Sequence, residues 1–245
     1  MKFMTIAYKD DPTPEMLRYS CLNAKKIFPD ISQVVVTTKE VENTCKTLLS
    51  DLNYVEIIST DLPDIRQPLI RWLLVYYGYK NVNDDIMYCG TLTFFKKDLR
   101  SLLHPTIVNV AYSKVEKIDL NVVTYIESIA QLIGINPDLD EVVHSSFMFL
   151  PLEASEQVEK INSLVELHRS KLSKYGKDIE NDYNVNFALT ELKDELFLLQ
   201  HILLHLTTPE TNNKTDFVYN TETDNPYLLY TYPHEFQAVK DQIPI

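Results

Sequence analysis

The chain has 245 residues, 45% of them hydrophobic and 24% charged, so it can bury one full core as a soluble globular protein. Its net charge of −12 argues against a broad nucleic-acid surface, because such a surface needs clustered Lys and Arg. The four glycines are far apart, which excludes a P-loop or a dinucleotide-binding fingerprint, since both need several glycines within a few residues.

Cysteine usage and hydropathy indicate the cellular compartment. Cys21, Cys45 and Cys89 are well separated, so they form no zinc-binding pattern or disulfide framework and predict reduced thiols. No apolar run approaches the roughly 18 residues of a membrane span. We therefore predict a cytoplasmic protein without a membrane span. The abundance of Asn and Tyr beside only four Gly is typical of an AT-rich genome and indicates a viral or bacterial source.

The first sixty residues alternate between strand and helix patterns. Apolar runs predict strands over 3–8, 33–37 and 54–58, and amphipathic patterns predict helices from Pro14 and over 40–52. Such a layout predicts a parallel sheet, which binds ligands beyond the carboxyl ends of its strands. The residues placed at that edge are Ala7, Tyr8, Lys9, Asp10, Thr37, Thr38, Ser59, Thr60 and Asp61.

Residues 66–103 combine a largely apolar helix, a polar turn and a buried strand over 86–95, after which a further helix is predicted from Lys97. Arg66 and Arg71 are the cations near the start of the first of these helices. Two interpretations of the arginines stay open: they pair with Asp61 or Asp64, or they hold a diphosphate.

The second half of the chain predicts strands over 106–112 and 142–150 and helices over 119–133, 153–174 and 191–206. Residues 184–190 are ambiguous, and the tail from Thr207 is predicted to pack as an irregular cover. We therefore predict a single α/β domain over 1–245, with a mostly parallel central sheet flanked by helices and a helical C-terminal part. Residues 1–103 would form a nucleotide-binding half, 104–206 an acceptor-side half and 207–245 the cover.

Two segments carry a resemblance to a known family. Residues 87–99 (MYCGTLTFFKKDL) have the frame of a central strand followed by a Lys-Asp-Leu step, and residues 144–151 (HSSFMFLP) form a later apolar strand that opens with small polar residues. In this order, and over roughly residues 1–205, the chain resembles the GT-A glycosyltransferases, particularly the glycogenin and lipopolysaccharide galactosyltransferase kind. That family's central strand typically ends in Asp-x-Asp.

The resemblance implies a site as well as a fold. Cys89 and Thr91, on either side of Gly90, stand where the acidic pair is expected, and Asp194, Glu195 and Gln200 would supply an acidic group or a Gln near the transferred sugar. It also implies a nucleotide-diphosphate sugar as donor and an acceptor of unknown identity. The remaining residues implied to bind the donor are Ala7, Tyr8, Thr37, Thr38, Arg66, Arg71, His144, Ser145 and Ser146.

The missing acidic pair makes a Mn²⁺ or Mg²⁺ cofactor doubtful, because a thiol, a glycine and a hydroxyl cannot hold a hard cation as two carboxylates do. Either basic side chains replace the metal, or the displaced pair Asp84 and Asp85 binds it, or those two residues form an ordinary polar turn. We predict a glycosyltransferase-like protein for which metal-independent transfer stays open. The alternatives are an inactive GT-A-like binding domain and an unrelated α/β protein.

Overall fold

The computed structural model describes residues 1–9, 14–62, 67–91, 93–114, 120–135, 141–175, 183–203, 227–230 and 236–245. Strands and helices alternate over most of these residues, and short 3₁₀ turns connect several of them. The elements are β1 (Lys2–Ala7), α1 (Pro14–Ile27), β2 (Ser32–Thr38), α2 (Lys39–Leu48), β3 (Val55–Thr60), α3 (Gln67–Asn81), β4 (Ile86–Cys89), β5 (Thr93–Phe95), β6 (Asn109–Lys114), α4 (Leu120–Ile133), β7 (Glu141–Leu150), α5 (Ser155–Leu172), α6 (Tyr183–Glu191), β8 (Phe197–Leu203), β9 (Leu228–Tyr230) and α7 (Phe236–Val239).

In the described part of the chain, seven strands form the central sheet in the order β3-β2-β1-β4-β7-β6-β8. Neighbours pair in parallel except at β7, which is antiparallel to both β4 and β6. Strands β5 and β9 form a separate two-stranded antiparallel sheet. The predicted α/β fold with a mostly parallel sheet is therefore confirmed. None of the described helices is long and apolar enough to cross a bilayer.

Side chains alternate between the two faces of the sheet and so divide the core. Met4 and Ile6 of β1 face a large apolar cluster that contains residues of α3, α5 and α6. Phe3 and Ala7 point to the opposite face, where α1, α2 and β5 supply the packing partners. The sheet is thus covered on both faces, which explains why β2 is a continuous run of buried apolar residues.

Helix α3 approaches the sheet closely at Gly78. A Cβ atom placed there would lie 2.8 Å from Cγ2 of Val36 and still closer to Sδ of Met4. Both neighbours are fully buried, so neither can move aside freely. The absence of a side chain at this position therefore sets the distance between α3 and the first two strands.

We predict that Gly78→Ala destabilises the protein although alanine is the better helix former. Alanine gains about 1 kcal/mol in helix propensity, whereas overpacking a filled core costs about 1–3 kcal/mol. Urea denaturation should show a net loss of up to roughly 2 kcal/mol in the free energy of unfolding. In a double-mutant cycle, Val36→Ala should cost less in the Gly78→Ala background than in the wild type. Additive costs would contradict the proposed clash.

Asn23 of α1 is a buried polar residue that joins three parts of the chain. Its amide accepts a hydrogen bond from the backbone N–H of Phe95 at 2.6 Å and donates to the carbonyl of Phe95 at 2.8 Å. It also donates to the carbonyl of Pro244 at 2.8 Å. The side chain therefore occupies the position of a neighbouring strand along β5 and connects this strand to the C-terminal residues.

We predict that Asn23→Ala lowers the free energy of unfolding by roughly 2–4 kcal/mol, because it leaves several buried backbone groups without a partner. The matched control is Asn43→Ala on the exposed side of α2, which should change stability by less than about 0.5 kcal/mol. Chemical denaturation of the two variants measures the difference. Equal stabilities would show that the hydrogen bonds of Asn23 contribute nothing.

The helix predicted over 191–206 is wrong. Helix α6 ends at Glu191, a 3₁₀ turn covers Lys193–Glu195, and Phe197–Leu203 forms β8, which pairs with β6 in parallel. A short apolar run fits a buried helix or a buried strand equally well, and here pairing with the open edge of β6 decides the outcome. The correction concerns this helix alone, since α5, α6 and α7 keep the C-terminal part largely helical.

Two further predicted elements differ from the structure. The strand predicted over 86–95 is divided, because the N–H of Thr93 donates to the carbonyl of Gly90 at 3.0 Å and closes a turn between β4 and β5. The helix predicted from Lys97 is only the 3₁₀ turn Arg100–Leu102. The ambiguous segment 184–190 lies within α6.

Candidate functional site

The carboxyl ends of β1, β2, β3 and β4 lie along one edge of the sheet, as expected for parallel strands. In the register of the sheet, Ala7 lies opposite Thr37, and Thr38 lies opposite Thr60. The structure thus brings together the ends of the strands that the sequence places at the ligand edge. Of the residues predicted there, Asp10 and Arg66 lie outside the described part of the chain.

Arg71 and Tyr8 are in direct contact at this edge. Arg71 lies in the second turn of α3 and donates from Nε to the hydroxyl of Tyr8 at 2.6 Å. Its guanidinium carbon is also 5.8 Å from the centre of the Tyr8 ring, within cation–π range. Tyr8 directly follows β1 and is buried, so the contact fixes a cation beside the end of the first strand.

The two threonines at the end of β2 differ in their surroundings. Thr37 is fully buried, and its hydroxyl donates to the carbonyl of Thr38 at 3.4 Å while the thiol of Cys45 lies 3.9 Å away. Thr38 is only partly buried and directly precedes α2. Of these two threonines, both predicted to contact the nucleotide-sugar donor, Thr38 is therefore the one at the surface of the edge.

Exposed ion pairs surround the same edge. Lys9, which follows β1, pairs with Glu40 at 2.8 Å, and Lys39, the first residue of α2, pairs with Asp61. Side chains this exposed contribute little to stability through their pairing, so the pairs can exchange partners at little cost. Three cations, Lys9, Lys39 and Arg71, thus lie near the carboxyl ends of β1 and β2.

Cys89, at the end of β4, is completely buried and points into an apolar cluster with Met87 and Phe147. Its thiol donates to the carbonyl of Thr93 at 3.3 Å, and burial raises the pKa of this thiol well above its ordinary value. The thiol therefore stays protonated at neutral pH. A protonated, buried thiol is a poor ligand for a metal and a poor nucleophile.

Gly90 directly follows β4 and is half-buried. Its N–H donates to the carbonyl of Ser146 at 2.8 Å. A Cβ atom at this position would lie 3.6 Å from that carbonyl oxygen and 3.7 Å from the hydroxyl of Tyr88, both ordinary contact distances. A Cβ atom therefore fits here without a clash.

These side chains do not fit a hard divalent cation. Mn²⁺ and Mg²⁺ prefer carboxylate and other oxygen ligands, whereas the strand end offers a protonated thiol, a glycine and the buried Thr91. Among the residues that the structure describes, no group of three or more His, Cys, Asp or Glu side chains is placed to hold a metal ion. No chemical step at this edge is therefore assigned to a metal.

Asp84 and Asp85 precede β4 and so lie at the opposite edge of the sheet. The carboxylate of Asp84 pairs with the N-terminal ammonium group, and that of Asp85 accepts the N–H of Leu152 at 2.9 Å. The backbone carbonyl of Asp85 also accepts the N–H of Lys2 at 2.7 Å. The two residues thus join the start of β1 and the segment that follows β7 to the amino end of β4, and the structure does not bring them to the ligand edge.

Asp194 and Glu195 are likewise placed away from the ligand edge, because they precede β8, which runs parallel to β6. Glu195 pairs with Lys160, and its carbonyl accepts a hydrogen bond from Gln157 at 2.7 Å. Their predicted approach to a sugar depended on a helix that the structure replaces with a turn and a strand. Gln200 lies in β8, with its side chain outside the described set.

Residues 144–146 belong to β7 and reach the ligand edge because this strand is antiparallel to β4. Phe147 lies opposite Cys89, which places Ser146 beside Gly90. The N–H of Ser145 donates to Oδ1 of Asn186 in α6 at 3.1 Å. Sequence reasoning missed Asn186, because the segment around it was ambiguous and no local motif indicates a contact 41 residues away.

We predict that the thiols of the folded protein react slowly. All three cysteines are buried, and burial raises the pKa of Cys21 to about 12 and that of Cys89 further, so neither forms the reactive thiolate at pH 8. Ellman's reagent should label three thiols rapidly in urea and none rapidly in the native state. Peptide mapping that finds fast native labelling of Cys89 would contradict its burial.

Comparisons with known proteins agree with this geometry at the level of the fold. No protein-family model and no curated sequence matches the chain. Among solved structures, the galactosyltransferase LgtC in complex with donor and acceptor sugar analogues matches with a TM-score of 0.52 and 17% identity, over 81% of this chain and 73% of that chain. An active-site mutant of LgtC gives a TM-score of 0.51 at 17% identity, over 81% and 72% of the two chains.

The chain therefore has the fold of the GT-A glycosyltransferases, as its sequence pattern predicts. Mouse xyloside xylosyltransferase 1 is a weaker match, with a TM-score of 0.46 and 14% identity over 80% of this chain and 83% of that chain. At such identities the likeness concerns the fold, while donor, acceptor and reaction must be argued from the site itself.

Proposed function

We propose that this protein is a glycosyltransferase that binds a nucleotide-diphosphate sugar at the carboxyl edge of its sheet and transfers the sugar to an acceptor without a metal held at β4. The observation that carries the proposal is Arg71, a cation fixed against Tyr8 where parallel sheets bind their ligands. A guanidinium group can donate two parallel hydrogen bonds to phosphate oxygens, so it suits a diphosphate.

The charge of the diphosphate provides the main physical requirement of such a reaction. When the sugar is transferred, negative charge accumulates on the leaving nucleoside diphosphate and needs nearby positive groups. Arg71 is the fixed candidate, and Lys9 and Lys39 are exposed candidates whose carboxylate partners a diphosphate can replace. These three residues supply positive charge locally although the whole chain carries −12.

The remaining predicted donor contacts fit the same position. Thr38 offers a hydroxyl at the end of β2, and the backbone around Gly90 and Ser145 borders the end of β4. Because no side chain projects from Gly90, a ligand can approach the backbone closely there. We propose that the nucleoside binds along β1 and β2 and that the sugar lies toward β4 and β7.

A thermal-shift experiment tests the proposal directly. Purified protein is heated with UDP, GDP, ADP or CMP and with their sugar derivatives, and one nucleotide series should raise the melting temperature by roughly 5–10 °C at about 100 times its Kd. Arg71→Ala should weaken that binding about 10- to 100-fold, because charged hydrogen bonds are lost. Arg169→Ala, which removes an arginine that pairs with Glu166 within α5, is the matched control.

The same experiment separates the parts of the proposal. No response to any nucleotide would contradict donor binding, and equal effects of the two arginine variants would contradict the role of Arg71. A shift that requires Mn²⁺ and disappears with EDTA would contradict metal independence. If the protein binds a nucleotide sugar but releases no nucleoside diphosphate from it with any of a panel of acceptors, the inactive binding domain is favoured.

A further inference from the structure

Strand β7 carries an irregularity beside the proposed donor site. Along β6, Val110 lies opposite Met148, but the next residue, Ala111, lies opposite His144, so the register passes over residues 145–147. Strand β8 also changes register against β6 between Ala111 and Tyr112. Such irregularities redirect a strand locally and are common next to active sites.

Residues 145–147, which the register between β6 and β7 skips, form contacts with β4 and α6. On the side of β4, Phe147 stays opposite Cys89 and the carbonyl of Ser146 accepts the N–H of Gly90. On the side of α6, Oδ1 of Asn186 accepts the N–H of Ser145 at 3.1 Å. A side-chain amide thus replaces the backbone partner that a regular ladder would have provided for Ser145.

Asn186 is well suited to hold a fixed position. Its neighbours Phe187, Ala188 and Leu189 are buried and anchor α6 in the core. The backbone carbonyl of Asn186 additionally accepts a hydrogen bond from the hydroxyl of Thr190 at 2.7 Å. A helix anchored in this way holds the amide in place, so the irregular segment of β7 is fixed from both sides.

We propose that Asn186 is a positioning residue for the donor site: it holds the peptide of Ser145 so that Ser145 and Ser146 stand beside Gly90. The expected effect of Asn186 on ligand binding rests on the proposed function. Its structural part, the fixing of the β7 irregularity by Asn186, stands on the geometry alone. Without this acceptor the Ser145 N–H loses its partner, and the segment can shift its register toward β6.

Hydrogen exchange measures the structural part on the whole chain. In Asn186→Ala, amides within 141–150 should exchange at least about tenfold faster, while those of β1 and β2 keep their wild-type rates. Asn186→Asp retains an oxygen acceptor and should restore the slow exchange. Thr190→Ala is the control for a general loosening of α6 and should leave the exchange of β7 unchanged. Unchanged exchange in Asn186→Ala overturns the inference, as does equal acceleration by Thr190→Ala.

Nucleotide-sugar binding by the same variants measures the functional part. Asn186→Ala should bind about tenfold more weakly than the wild type, which corresponds to ~1.4 kcal/mol, and Thr190→Ala should bind as the wild type does. If the wild type binds and Asn186→Ala binds equally well, the positioning role fails while the proposed function stands. If the wild type binds no nucleotide, the proposed function fails, and the exchange data still decide the structural part.

Discussion

The antiparallel course of β7 is the constraint on which the site depends. A purely parallel sheet would bring only the carboxyl ends of strands to the ligand edge, whereas β7 enters between β4 and β6 in the opposite direction and brings its first half there. The backbone hydrogen bond from the N–H of Gly90 to the carbonyl of Ser146 joins the end of β4 to the first half of β7. The position of Ser146 thus follows from pairing with β4, and the local chain direction follows from α6.

The residues at the end of β4 carry no carboxylate, and this absence determines the chemistry of the edge. Cys89 faces the apolar cluster under α1, while Gly90, next along the strand, faces the side where a ligand would lie. A carboxylate at the position of Cys89 would therefore be buried in an apolar cluster, which strongly destabilises a charged group. With neutral groups at the end of β4, the cations that the structure describes near this edge are Lys9, Lys39 and Arg71.

The sequence predicted the parallel half well, because apolar runs and amphipathic helix patterns are local signals. It placed Tyr8 at the end of the first strand and Arg71 near the start of α3, since both positions follow from where elements begin and end, but it did not predict their contact. It failed over 191–206, where an apolar run permits two structures and the choice depends on pairing with β6, 88 residues earlier in the chain (Asn109 opposite Phe197). Asn186 was missed because the irregularity it completes exists only once β6, β7 and α6 have assembled.

The amide of Asn23 has a consequence for the order in which the chain can be completed. Its two sets of partners lie 72 and 221 residues further along the sequence. During synthesis the first helix emerges early, yet the hydrogen bonds of its buried amide form only after β5 and then the segment around Pro244 have been made. The first strands can therefore pair before this face of the sheet is fully closed.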